Sequence, residues 1–460
     1  MSGKIKNAPL NDYSIKNAFK YGSPITILSG IILGFGNFCH KQFGKGLAFL
    51  AVEVAYIYYM MIFGIQSIGN FITLGTKVQE EVWNDAKGIY EYIQGDNSML
   101  ALLYGVATIM VTLGFIVMLI ASIKSAYYVE CLESIGKKPR NFLQDLRSLK
   151  DDKIHLTLLS LPTLGVLLFT IIPLVFMIFI AFTNYDKEHL APGKLFDWVG
   201  FENFSNIFKT TGAGIGSTFM PILAWTVVWA FFATFTNYLL GMILALIINR
   251  KGTKWKSFWR FNFVLSIAIP SFVSLLTMRV IFSPNGPANV LLRDLGMIAA
   301  SESVPFWTDG TIAKVMVILV NIWIGVPFTM LNHTGILQNI PSDLYEAADV
   351  EGANAFVKFF KITLPYMLYI TGPFLITTFI GNINNFNVIF LLTGGGPEKL
   401  EYYAAGQTDL LVTWLYKLTI TEKDYKTGSV IGIMIFIVSA VFSLLTYRKT
   451  AAYKDEEAFQ

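Results

Sequence analysis

The sequence predicts an all-α polytopic membrane protein with about eight transmembrane helices. Three observations carry that prediction. Apolar residues make up 54% of the 460 and charged residues only 14%, whereas soluble domains run nearer a quarter charged. The apolar residues are gathered into stretches of about 20, the length an α-helix needs to cross the hydrocarbon layer. The basic residues concentrate in alternate loops, as a fixed orientation in a membrane requires.

Spans are predicted at 46–68, 98–123, 158–184, 221–248, 261–282, 312–331, 366–387 and 430–447. With the amino terminus in the cytoplasm, the segments placed inside hold 23 Lys and Arg residues and the outer loops hold 10. That bias favours an inside location for both termini. Residues 22–38 form a further apolar stretch of marginal length, interrupted by Gly30, Gly34 and Gly36. An interfacial or re-entrant segment fits it best. The alternatives are a ninth span, which would move the amino terminus outside, and a signal peptide, although no small-x-small cleavage site follows.

Other classes are excluded more quickly. Cys39 and Cys131 support neither a disulfide framework nor a metal site, and His40, His155, His189 and His333 are scattered. Without a basic tract or recognition motif, nucleic acid is not an expected partner. Gly394-Gly395-Gly396-Pro397 lacks the Lys-Ser/Thr of a phosphate loop and reads as a tight turn. No Walker-type sequence occurs anywhere, so no nucleotide or other cofactor is expected on this chain; any driving ATP is hydrolysed by another.

Between two long apolar stretches lies a polar, helix-forming segment, L-Y-E-A-A-D-V-E-G-A-N-A-F-V-K-F-F-K-I-T-L-P over 344–365. Asp343 and Glu346 have capping-box spacing, which predicts a helix starting near Leu344. Ala347, Ala348 and Ala353 favour helix and present a low surface. Gly352 permits a tight turn or a close backbone approach. Phe356, Phe359, Phe360 and Ile362 supply apolar area, and Pro365 is expected to end the element at the membrane face. Two short helices joined near Gly352 would make a knob fitting a cleft in a soluble partner.

The spacing of Glu346-Ala347-Ala348, Gly352 and Ile362-x-Leu364-Pro365 resembles the cytoplasmic loop of the membrane subunits of ATP-binding-cassette (ABC) importers. Further stretches are similar to the larger membrane subunit of maltose-type sugar importers: V-G-F-E-N-F at 199–204, Pro270-Ser271-Phe272, Asn321-Ile322-Trp323-Ile324-Gly325, and Asn385-Phe386-Asn387 followed by L-L-T-G-G-G-P at 391–397. The likeness covers about 155–448. It implies a type I six-helix permease core (157–448, coupling loop 333–365), preceded by two accessory spans with a basic loop (45–156). An amino-terminal cytoplasmic or interfacial segment (1–44) and a cytoplasmic tail (449–460) complete the chain. It also implies a bacterial cytoplasmic membrane location and several partners: a second homologous permease subunit, two ATPase subunits that use ATP and Mg, and an extracytoplasmic sugar-binding protein. The outer loop after Asn184 is short where the enterobacterial family example inserts a folded domain, which argues against a binding-protein clamp built from that domain.

Ionisable residues are nearly absent from the spans. Glu53 and Arg279 lie in different spans and compose no proton relay, so a path for a neutral polar molecule is the better fit. Such a path needs amides, hydroxyls and aromatic faces. The seventh span carries Thr377, Thr378, Asn382, Asn384, Asn385 and Asn387; the sixth carries Asn321, Trp323, Gly325, Pro327 and Phe328. Gly372-Pro373 and Gly325-x-Pro327 suggest irregular helix. The alternative reading of the asparagines is that they cap helix ends or bond neighbouring helices.

The family comparison implies that Thr378, Gly381, Asn382 and Asn385, with Ile324, Gly325 and Phe328, face the sugar. The family example carries tyrosine at the position of Phe328 and phenylalanine at that of Gly381. A larger oligosaccharide fits the pocket so opened, of the maltose/maltodextrin class or, alternatively, a galacto-oligosaccharide. Two other functional classes remain. A secondary transporter leaves the 344–365 segment unexplained, and a membrane anchor for a soluble enzyme leaves the polar span residues unexplained.

Overall fold

The computed structural model describes residues 12–209, 214–250 and 252–448; the predicted tail 449–460 and residues 1–11 lie outside them. Among the described residues seven helices are long and apolar enough to cross a membrane, and a sharply bent pair makes an eighth where it is counted as one span. The fold is all-α with one small hairpin, and the chain divides into two compact units, 1–199 and 200–460.

In the first unit, residues 22–38 do not form one helix. Ser14 caps α1 (Ile15–Tyr21), Ser23 caps α2 (Pro24–Leu28), and a turn leads into α3 (Phe35–Cys39). Two carboxylates from long helices satisfy the backbone of this folded segment. Glu130 of α5 (Ser98–Ser134) accepts from Ser23 N at 3.1 Å and Thr26 Oγ1 at 2.7 Å. Glu53 of α4 (Phe43–Thr73) accepts from Leu33 N at 2.9 Å. The intramembrane charge at Glu53 thus has a structural partner, because a turn buried among helices must satisfy its own N–H groups. Between α4 and α5 the sequence reading missed a hairpin, β1 (Glu80–Asn84) paired with β2 (Ile89–Ile93), with Trp83 opposite Tyr90. After α5 come the short α6 (Phe142–Ser148) and the long α7 (Ile154–Ile180). The rings of Phe71, Phe179 and Trp198 join α4, α7 and the chain beyond them.

The second unit begins with α8 (Glu202–Phe208) and is organised by α9 (Ile215–Asn249), which runs along α13 (Gly310–Leu337). Thr329 Oγ1 of α13 donates to Asn237 O of α9 at 2.9 Å. Near one end Trp225, Trp229, Leu275, Val317, Ile389 and Leu392 form the core; near the other, Tyr238, Met242 and Met367 do. Each cluster joins α9 to α15 (Ala355–Leu392), a run interrupted at Asn384 and Asn385.

The fifth span predicted over 261–282 is corrected. It is α10 (Lys256–Ala268) and α11 (Ser271–Ile281), meeting at 88°. The residue before a proline avoids helical angles, and Ile269, before Pro270, is extended with ψ 123°. The irregularity expected at Gly325-x-Pro327 and at Gly372-Pro373 is also corrected: α13 is one continuous helix with Pro327 inside it, and the helix Leu364–Ile383 runs through Pro373. After α12 (Pro287–Asp294), α13 leads to α14 (Ser342–Val350) and α15; α16 (Leu411–Tyr416) and α17 (Tyr425–Tyr447) close the unit. The Gly394–Gly395 turn closes over a fully buried Asp409, which Lys417 Nζ meets at 2.6 Å and Gly406 N–H at 2.7 Å.

Candidate functional site

Two surfaces of the second unit gather the residues singled out from the sequence. The first is the 344–365 segment, built as two short helices around Gly352. Gly352 has φ +75°, and a Cβ there would meet no atom within 4 Å. Backbone conformation, and not a close approach, is therefore what calls for glycine. Gly352 N–H donates to Asp349 O at 3.1 Å and Ala353 N–H to Ala348 O at 2.8 Å, the paired bonds of a Schellman stop.

The start of α14 departs from expectation. Pro341 takes the N-cap position and Asp343 sits in the first turn without capping it. Pro341 at the N-cap precedes the first helical residue, so the helix starts at Ser342, two residues early. Pro365 is corrected as well. It lies in the first turn of the regular helix Leu364–Ile383, and the helical run passes through it into the span.

Two side-chain ties link the two helices, and a cap fixes the start of the second. Beside the Gly352 turn, Lys358 forms an ion pair with Asp349, and Tyr345 OH lies 2.9 Å from Thr363 Oγ1. Asn354 caps the second helix through Val357 N–H at 2.9 Å. Glu346 and Ala347 are exposed, Ala348 and Ile362 half-buried, and an apolar strip of Val350 (91% exposed), Phe356 (71%) and Phe360 (48%) is uncovered among the described residues. At the other end Phe359 and Leu364 pack into the Tyr238–Met242–Met367 core. The segment is thus joined by packing to α9 and α15.

The second surface is a groove of about 830 Å³ between α9, the α10–α11 pair and α13. Trp323 (54% exposed), Ile324 and Phe328 (52%) form one wall. The α10–α11 pair adds four polar side chains, Asn262 and Ser266 from α10 and Ser271 and Ser274 from α11, among Phe263, Ile267 and Ile269. From α9 come aliphatic residues, so the lining is mostly apolar with a few polar groups. The 88° break brings both pairs to one cavity. These four residues were missed by the sequence reading, although their i, i+4 and i, i+3 spacing on either side of Pro270 was visible. Hydroxyls and an amide in one cavity with aromatic rings are what a sugar-sized polar ligand requires.

The other nominated residues do not reach that groove. Gly325 faces α9, where a Cβ would lie 2.4 Å from Asn237 Nδ2. Asn382 is buried: its Nδ2 donates to Thr234 Oγ1 at 2.9 Å. Asn385 is half-buried, capping the 386–392 turn through Val388 N–H at 3.2 Å. Thr378 is half-buried with its hydroxyl on Phe374 O, and Gly381 is exposed with open space around it. The exposed polar stripe of α15 is Thr377, Gly381, Asn384 and Asn387, spaced by three or four residues along one helix face.

Comparison with known proteins follows the same lines. Residues 237–452 match the family described as binding-protein-dependent transport system inner membrane component. The galactooligosaccharides transport system permease protein GanP of Bacillus subtilis (strain 168) is 35% identical over 443 residues, 94% of this chain and 99% of that protein. The maltodextrin transport system permease protein MdxF of the same organism is 33% identical, over 94% of this chain and 96% of that protein. The maltose/maltodextrin transport system permease protein MalF of Escherichia coli (strain K12) is 36% identical, over 58% of this chain and 52% of its own length. Among solved structures, a chain of a bacterial ABC transporter involved in alginate import shares the fold, with TM-score 0.52 and 22% identity over 66% of this chain and 96% of that one.

Proposed function

Because the chain belongs to the binding-protein-dependent transport inner membrane components, and so is a multi-pass permease subunit of an ABC importer and not itself an enzyme, we propose that it carries an oligosaccharide through the α9–α13 groove under control of the 346–365 element. Maltodextrins are the first expected substrate and galacto-oligosaccharides the second, the classes named for the relatives MdxF and GanP. The observation that carries the reading is that four hydroxyl and amide side chains, Asn262, Ser266, Ser271 and Ser274, line the same groove as Trp323 and Phe328.

In this reading the complex holds a second homologous permease, two ATPase subunits and an extracytoplasmic sugar-binding protein. Both termini and the 346–365 element face the cytoplasm, in keeping with the distribution of basic residues. ATP and Mg belong to the ATPases. Their closure draws the Val350–Phe356–Phe360 strip inward, and the Gly352 knob passes that movement through Leu364 and Met367 to α9 and α15. The cavity then turns from inward- to outward-facing, sugar enters from the binding protein, and hydrolysis resets the cycle.

Copurification of the tagged chain from native membranes, with ATPase assays against maltodextrins and galacto-oligosaccharides, tests this. Recovery of a second permease and an ATPase stimulated by one sugar class upholds it. A chain that purifies alone and still transports sugar in vesicles overturns it in favour of a secondary transporter.

A further inference from the structure

The short helix α6 is held in place by buried chemistry and presents two different faces. Lys45, only 9% exposed, bonds Asp145 Oδ2 at 2.6 Å and donates to Arg140 O at 2.7 Å, while Gln42 Nε2 donates to the same carbonyl at 3.0 Å. Asn141 and Gln144 close a capping box. The helix is therefore fixed against the start of α4 and is no loose linker.

One face of α6 is apolar and open: Phe142 is 40%, Leu143 63% and Leu146 52% exposed. Beside it, Phe142 closes the end of a groove of about 320 Å³ whose apolar lining is Ala48, Phe49 and Val52 of α4 and Met118 of α5. The other face borders a cup of about 760 Å³ lined by Lys138, Arg140 and Arg147 together with Asp151 and Asp152, the second of these paired with Arg140. Charge is not balanced there. Asp145 is taken by Lys45 and Asp152 by Arg140, so Asp151 is the only carboxylate of 137–153 without a described ion pair. Against it stand Lys137, Lys138, Arg147, Lys150 and Lys153, none in a described ion pair.

A fixed amphipathic helix flanked by lysines outside any described ion pair, next to an apolar groove, matches a molecule with an anionic head and an acyl tail. We propose that α6 is a binding site for an anionic phospholipid of the surrounding bilayer. The phosphate sits in the Lys138–Arg147 cup, Leu143 and Leu146 enter the acyl layer, and one chain follows the groove between α4 and α5. Charge complementarity decides the occupant, since a zwitterionic lipid would leave the cationic excess uncompensated.

The test is lipid retention by the full chain, with its copurifying subunits, after equilibration in nanodiscs of equal phosphatidylglycerol and phosphatidylcholine, read by native mass spectrometry. Phosphatidylglycerol is expected to be retained over phosphatidylcholine by about tenfold or more. The combined K138Q, R147Q and K150Q variant is expected to abolish that preference, since about fivefold per cation over three cations exceeds it. L143Q with L146Q lowers retention of both lipids, and K87Q in the hairpin changes neither. Equal retention of the two lipids by the parent protein overturns the proposal, whatever the variants do. Displacement of the lipid by inorganic phosphate also overturns it, and would reassign the cup to a free anion.

Discussion

Asn382 Nδ2 donates to Thr234 Oγ1 at 2.9 Å, and the carbonyl of the same residue accepts from Trp229 Nε1 at 3.1 Å. One residue of α15 thus fastens itself to α9 through both side chain and backbone, in a buried site. Removing either side-chain partner strands the other, at a cost of about 1–3 kcal/mol. Asn382→Ala and Thr234→Val are each expected to lower the unfolding temperature of the purified protein, with the double variant less than additive. Transport lost at an unchanged unfolding temperature would instead assign the Asn382 amide to the sugar.

Gly352 separates two roles by substitution. A β-branched residue at φ +75° is strained, by roughly 1–2 kcal/mol or more, whereas asparagine tolerates that conformation. Gly352→Val is expected to deform the knob and lower sugar uptake per ATP hydrolysed, while Gly352→Asn retains most of the coupling. Equal uptake by the two variants would sink the coupling assignment.

The Asp409–Lys417 pair gives a pH dependence with a defined sign. Burial pushes the Asp409 carboxyl above its ordinary value, and the Lys417 charge and Gly406 N–H only partly oppose this. A carboxyl whose folded pKa is raised contributes stability that is fully present below the ordinary carboxylate range and is lost as pH climbs through the folded value. The unfolding-temperature advantage of the parent over Asp409→Asn should therefore shrink as pH rises from below ~4. An advantage that grows with pH would mean that the Lys417 attraction outweighs desolvation.

Phe328 is half exposed on the aromatic wall of the groove. Phe328→Tyr adds a hydroxyl facing the cavity without disturbing the α9–α13 seam. Assembly is expected to be unchanged and the ratio of ATPase stimulation by short and long oligosaccharides to shift severalfold, about 1 kcal/mol per hydrogen bond. An unaltered ratio with normal activity would move the sugar path away from this wall.

His333 is fully buried on α13, its ring edge-on to Tyr238, and neither ring nitrogen meets a described protein partner. A buried donor without an acceptor costs about 1–3 kcal/mol. His333→Leu, of similar volume, is expected to hold or raise the unfolding temperature. A fall of several degrees would show that the imidazole has a bonded partner, such as an enclosed water.

The sequence by itself determined the class of the protein: the membrane spans, the alternation of basic loops, and the Glu346–Gly352–Pro365 pattern are all local along the chain. Apolar run length and loop charge need no distant contact to be read, and the Gly352 turn is set by its own φ and its two neighbouring backbone bonds. The break at Pro270 was legible in principle and was passed over, because a run of apolar residues outweighed one proline.

Only the tertiary structure decided which polar residues are free. Asn382 and Asn384 look alike in the sequence, yet one is buried against Thr234 and the other exposed. That difference depends on the rotation of α15 about its axis, set by contacts with α9, whose Thr234 lies 148 residues earlier. The polar part of the groove's lining likewise exists only because an 88° bend turns Asn262, Ser266, Ser271 and Ser274 toward the same cavity. Burial and facing are properties of packed pairs of helices, and no single stretch of chain carries them.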